Sequence, residues 1–150
     1  MASRTRSHLP IELPANLRHH RCAVARWALE EGQSLNVSAL TVILECRRRS
    51  ATLIGGFTEW DATEVSELLW SGAAAVCLEH GTELPSGTAE TLWAYLTFLD
   101  QAGTLQGSTL SGLREELANT AGLDRHGRLR HPSGGRGPLA PVVTLPVRSA

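Results

Sequence analysis

TEWDATEVSELLWSGAAAVCLEHG, Thr58 to Gly81, is the longest stretch of this chain with a single period. Val65, Leu68, Leu69, Ala73, Val76 and Cys77 recur at helical spacing and make an apolar stripe. Asp61 stands where an N-cap belongs, and Glu64 follows three residues later, the spacing of a capping box. Gly81 suits the left-handed conformation that ends a helix. Gly72 weakens the interior, so a bend is expected at Ser71-Gly72. Ala73-Ala74-Ala75 leaves room for a second helix to approach closely. A helix organised this way needs others to cover its stripe, and the flanking sequence supplies them.

Upstream, Leu17, Val24, Trp27 and Ala28 predict a helix from Pro14 to about Glu31, with Gly32 as its stop. The stretch VSALTVILECRRR is capped by Asn36 or Ser38 and ends in three arginines that complement a helix dipole. Its β-branched run Thr41-Val42-Ile43 leaves a hairpin over residues 41–57 as the alternative, with SATLIGGF as the return strand. Downstream, Pro85 opens an element capped by Ser86 or Thr88. Leu92, Tyr95, Leu96 and Leu99 form its stripe, widened by Trp93 and Phe98. A face that broad is buried on two sides or meets a partner. Gly103 stops it. Ser108 is placed to cap a last helix carrying Leu110, Leu113 and Leu117 and ending near Gly122.

The fold expected is therefore all-α, an irregular bundle of about five helices over residues 14–122. Residues 1–13 read as a flexible lead-in. Residues 123–150 read as a basic, Gly/Pro-rich tail with no packed element, because residues 132–150 alone hold four prolines and three glycines. A short strand of VVTLPV against a neighbouring chain is the one structure the tail suggests.

A chain of 150 residues is one domain's length and can bury a core. No apolar run reaches the roughly 20 residues of a membrane span, and MASRTRSHLPIELP lacks the apolar segment of a secretory signal. A cytoplasmic setting is expected, with Cys22, Cys46 and Cys77 as buried free thiols. The net charge of −1 conceals a segregation: +4 over residues 1–50, −9 over 51–120 and +4 over 121–150. All fourteen basic residues are arginine. Basic ends of this kind can neutralise the acidic middle, or meet the acidic surface of a second copy.

The order of residues from Trp60 to Leu105 resembles a pattern found in small, uncharacterised actinobacterial proteins. It is Trp60 before an acidic helix with Glu67, Leu68 and Leu69, then Leu84-Pro85, then Tyr95-Leu96-x-Phe98-Leu99, Gly103 and Leu105. The resemblance implies an all-helical fold and a bacterial cytoplasmic setting. It implies no activity.

Reactive constellations are sparse. Cys77 and His80 have C-x-x-H spacing, and His19, His20 and Cys22 offer further zinc donors, but the spacings are not those of a structural site. His19 stands three residues from Cys22, the one pairing that brings a base near a thiol. Asp61, Glu64, Glu67 and Glu79 read as solvated carboxylates. His126 and His131 fall in the basic tail. There is no nucleophile elbow and no glycine-rich phosphate loop. No cofactor, metal or small molecule is expected, and no enzyme.

The leading expectation is a non-enzymatic protein that binds another protein or itself, through Trp70, Trp93, Tyr95 and Phe98. Trp70, one step off the stripe, is the tryptophan most suited to face a partner. The alternative is a nucleic-acid-associated regulator using Arg47, Arg48 and Arg49 with Arg125, Arg128, Arg130 and Arg136 of the tail.

Overall fold

The computed structural model describes residues 10–50 and 57–130, and the architecture is helical throughout them. Helix α1 runs Ala15–Glu31 and α2 runs Val37–Ser50. A two-residue strand β1, Glu59–Trp60, leads into α3, Ala62–Glu67. A π turn, Leu68–Gly72, joins α3 to α4, Ala73–Glu79, so these three make one rod. Helix α5 is Thr88–Gln101, strand β2 is Gln106–Gly107, and α6 is Leu110–Ala121. Among the described residues, five helical rods thus form the bundle.

The sequence signals account for most of the boundaries. Pro14 is the N-cap of α1 rather than its first helical residue, and Gly32 ends it at φ 69°. Asn36 caps α2: its Oδ1 accepts from the Ser38 and Ala39 amides. Residues 41–50 are therefore helix, not the first arm of a hairpin, while residues 51–56 lie outside the described region. Asp61 and Glu64 make the reciprocal capping box, at 2.9 and 3.3 Å. Two expected caps are replaced. Gly87 at φ 74°, not Ser86 or Thr88, precedes α5, and Thr109, not Ser108, caps α6 by accepting from the Gly112 amide.

The bend expected at Ser71-Gly72 is a full π turn instead. The Ala73 amide reaches back five residues to the Leu68 carbonyl. Leu68 and Ala73, both buried, are five residues apart; an α-helix would put that step off the stripe. The extra residue of the π turn absorbs the mismatch, so Val65 and Leu68 before it and Ala73, Val76 and Cys77 after it face the same core.

The hub is α5, not the rod around Thr58–Gly81. Every residue from Thr91 to Thr97 is buried, and α5 packs against α1, α2 and α6. Its wide apolar face is covered from within. The rod packs at the side, α3 on α6 and α4 on α2. A parallel two-stranded pair ties the ends together, with Glu59 opposite Gln106 and Trp60 opposite Gly107. Trp60 lies fully inside, its ring edge-on to Tyr95 and its Nε1–H donating to the Phe57 carbonyl.

Both proposed ends of the domain move outward. Ile11 and Leu13 are core residues, so the packed chain begins before Pro14. Leu123 is also buried and bridges to Leu129 across a tight turn. The Asp124 amide donates to the Arg128 carbonyl, and Asp124 Oδ1 accepts the amides of His126 and Arg128, holding that carboxyl below its ordinary range. Residues 123–130 are a built turn docked on α5. Residues 1–9 and 131–150, the remainder of the two proposed flexible ends, lie outside the described region. Among the described residues no helix is long and apolar enough to cross a membrane.

Candidate functional site

The two residue sets suggested by sequence separate sharply once placed. Of the four aromatic candidates, only Trp70 is presented to solvent, at 76% exposure. Tyr95 is wholly interior: His20 Nε2 lies 3.0 Å from its hydroxyl, and burial drives its pKa upward. Trp93 is buried at 6%, and Phe98 is half-buried between His20 and Trp27. These three hold the core together. They do not form a docking face, because α5 is central rather than peripheral.

Trp70 does not stand alone. On the same outer side of the rod, Ala74 and Ala75 are exposed and Leu78 is 82% exposed. The π turn is what sets them there. It turns Ala73, Val76 and Cys77 inward and leaves Trp70, Ala74 and Leu78 in a row away from the core. Glu67 is exposed beside the row, and Glu79 is held by Arg49.

The arginine cluster at 47–49 is occupied by the protein's own acids. Arg47 is 3% exposed; its Nε donates to the Glu59 carbonyl at 2.8 Å, and it pairs with Glu64 at 3.0 Å. Its guanidinium also lies 5.6 Å from the Trp60 ring centre. It pins α2 to the β1 segment and is not a surface cation. Burial lifts the Glu64 carboxyl above its ordinary pKa, although Arg47 opposes this. Arg48 grips buried Glu45 in a two-pronged contact, at 2.9 and 2.7 Å, and Arg49 adds a third bond at 2.8 Å. Burial pushes Glu45 upward, but these two arginines overcome it and hold the carboxylate below its usual range. As a phosphate-binding group the cluster is largely spent.

The second arginine set is different. Arg125 and Arg128, with His126, rise from the docked 123–130 turn and line a cleft of about 660 Å³. Its opposite wall is the α1–α2 loop at Gln33–Asn36, and the start of α5 at Ser86–Gly87 closes one end. Arg130 sits on the neighbouring hollow that shares Trp93, Arg114 and Arg125. In the sequence Arg114 is one cation among acids. Here its guanidinium lies over Trp93, the central carbon 4.7 Å from the ring centre. Its Nη2 donates to Thr97 Oγ1 at 2.8 Å, and that hydroxyl donates to the Trp93 carbonyl. The one available signal is its isolation: it is the single arginine of the acidic segment 51–120.

The thiol and metal candidates disperse. Cys22 is exposed, contrary to the expected burial, while Cys46 is half-buried and Cys77 is buried. Burial pushes the Cys46 thiol up to about 12, with Cys77 adding to the effect, so that thiol stays protonated. His80 Nδ1 lies 3.0 Å from the Val76 carbonyl, within its own helix. His20 is turned to Tyr95 and Phe57, and burial lowers its pKa, keeping the ring neutral. Among the described residues no three His, Cys, Asp or Glu side chains gather into a metal-holding group.

No family model, curated protein or solved structure matches the chain. The residues that carry the actinobacterial resemblance are chiefly packing residues: Trp60, Leu68, Leu96 and Leu99 are all core.

Proposed function

We propose that this chain is a non-enzymatic helical protein that works by binding another protein chain, and that its docking face is the outer side of the α3–α4 rod. One observation carries the reading. Trp70 and Leu78 lie almost fully in water on one side of one rod, in a molecule that encloses its other tryptophans wholly or in part. A large aromatic side chain left in water costs free energy that a partner's surface recovers, and tryptophan is the residue most enriched at the centre of such contacts. The small residues Ala74 and Ala75 between them let a partner backbone approach closely. Glu67 at the margin favours a partner with a basic rim, and the basic first and last thirds of a second copy meet that requirement.

Sedimentation of the full chain at micromolar concentration tests this. The wild type is expected to self-associate or to carry a co-purifying protein, and Trp70→Ala with Leu78→Ser to abolish the association while leaving the helical circular dichroism unchanged. A wild type that is strictly monomeric and purifies alone overturns the proposal. The nucleic-acid reading loses Arg47, Arg48 and Arg49 to internal ion pairs, and nothing favours it over the Trp70 face.

A further inference from the structure

Independently of the Trp70 face, the cleft between the 123–130 turn and the start of α5 has the chemistry of an anion site. Its floor is the starting point. A guanidinium carries five N–H donors and normally meets a carboxylate or several acceptors when it is withdrawn from water. Arg114 is half-buried and has one hydrogen bond, to Thr97 Oγ1, while its Nε is enclosed with no hydrogen-bond partner among the described residues. No carboxylate lies within ion-pair distance of it there. The side chain is nevertheless fixed, stacked on Trp93 and tied through Thr97 to the α5 backbone. Asp100 acts on it only from beyond ion-pair distance, and positive charge held rigid in the lining of a cleft is what an anion-binding protein prepares in advance.

The walls strengthen the case. Arg125, Arg128 and His126 line the same cleft, on a turn whose one acid, Asp124, is consumed by backbone amides. That turn is anchored where it matters. Gly127 has φ +79°, and a Cβ there would come within 2.6 Å of the Trp93 ring, so the glycine lies directly on the tryptophan that also carries Arg114. Opposite, α5 begins at Gly87 with no side chain capping its first turn. Its amide dipoles add a further positive contribution. Glu90 is the opposing charge in the cleft, and it lies close to Gly87.

We propose that this cleft binds a small phosphorylated molecule, its phosphoryl oxygens taken by Arg114, Arg125 and Arg128. Guanidinium forks match phosphate oxygens two at a time, which suits three arginines to a group bearing several equivalent acceptors. The remaining lining, Gln33, Ser34 and the Glu90 carboxylate, offers acceptors for the hydroxyls of a polyol or ribose. A volume of about 660 Å³ is that of a small-molecule site. A nucleic-acid strand requires an extended cationic track, and Arg48 and Arg49 lie at the far end of α2 from this cleft, paired with Glu45 and Glu79.

Pyrophosphate, titrated into the full chain at constant ionic strength set with sodium chloride, is the probe. Calorimetry is expected to show saturable one-site binding, and thermal melts a rise in Tm absent from the matched chloride control. The paired change Arg125→Ser with Arg128→Ser, two exposed side chains on the docked turn, is expected to weaken binding at least about tenfold, the scale of losing a charge-assisted contact. Arg114→Gln, which keeps a donor for Thr97 but removes the charge, is expected to do the same. Arg26→Ser, at an exposed arginine of α1 outside the cleft lining, leaves pyrophosphate binding unchanged. Absence of any response beyond the chloride control overturns the proposal, as do cleft variants that bind as the wild type does. A single-stranded oligonucleotide that binds and is not displaced by pyrophosphate overturns it in favour of a polymer. None of these readouts depends on the state of association, so this proposal and the docking face fail separately.

Discussion

A handful of single residues decide how tightly the elements lock, and Gly107 is the clearest. It sits at φ +92° in the short parallel pair, and a Cβ placed there would stand 2.3 Å from the Trp60 carbonyl oxygen. The obstacle is backbone, which cannot swing aside as a side chain can. Gly107→Ala is expected to cost about 3 kcal/mol and to lower Tm by roughly 10 °C, measurable by thermal melts followed through circular dichroism. A change of 1 °C or less would mean that the Glu59–Gln106 pairing is not part of the folded state. Arg47 shows the same dependence on context. In sequence it continues the helical spacing Leu40, Ile43, Leu44, Arg47; in the fold it alone of the three arginines is enclosed, joining α2 to Glu59, Glu64 and the Trp60 ring. That spacing marks which of the three turns inward, but not what it meets there. Helical rotation of about 100° per residue separates the three.

The α3–α4 rod shows how an element can carry two registers. Before the π turn the inward residues are Val65 and Leu68; after it they are Ala73, Val76 and Cys77. The apolar spacing was visible in the sequence, since Leu69 offers a four-residue step to Ala73. Only the structure shows that Leu69 is half-buried and that Leu68 takes the core position. An insertion of one residue is removable by a deletion of one. Deleting Ser71 is expected to close the π turn into regular helix and cost under about 1 kcal/mol, because both inward sets stay aligned. Deleting Ala75 instead rotates Val76 and Cys77 out of the core and is expected to cost at least about 3 kcal/mol at 1.5–3 kcal/mol per apolar side chain. Urea midpoints of the two deletions check this; equal losses would show that the π turn absorbs nothing. Cap chemistry was legible to the same degree. Asp61 with Glu64 and Asn36 were readable because each acts on its own first turn, while Gly87 and Thr109 displaced nearer-looking candidates by a residue.

Across the whole molecule, α5 is the element around which the others assemble, and its covering defines where the domain ends. The 123–130 turn belongs to that covering, with Leu123 in the core and Gly127 on Trp93. A chain ending at Gly122 is therefore expected to be less stable than one ending at Arg130 by about 3 kcal/mol, from the lost burial of Leu123 and the uncovering of Trp93. Chemical denaturation of the two truncations measures the difference, and equal midpoints would return the boundary to residue 122. The sequence by itself determined the helical class, the rods and most of their caps, and the candidacy of Trp70, because periodicity and capping are local and act within a few residues. It also singled out Arg125 and Arg128, though as part of an unstructured tail. Tertiary structure alone decided that α5 is central, that Trp93 and Tyr95 are interior, that Arg47 is a pin, and that Arg114, without an ion-pair partner among the described residues, lines a cleft. Each of those depends on which segments, distant in the chain, come to lie against one another. A stripe of apolar residues states that a face will be covered and leaves open what covers it.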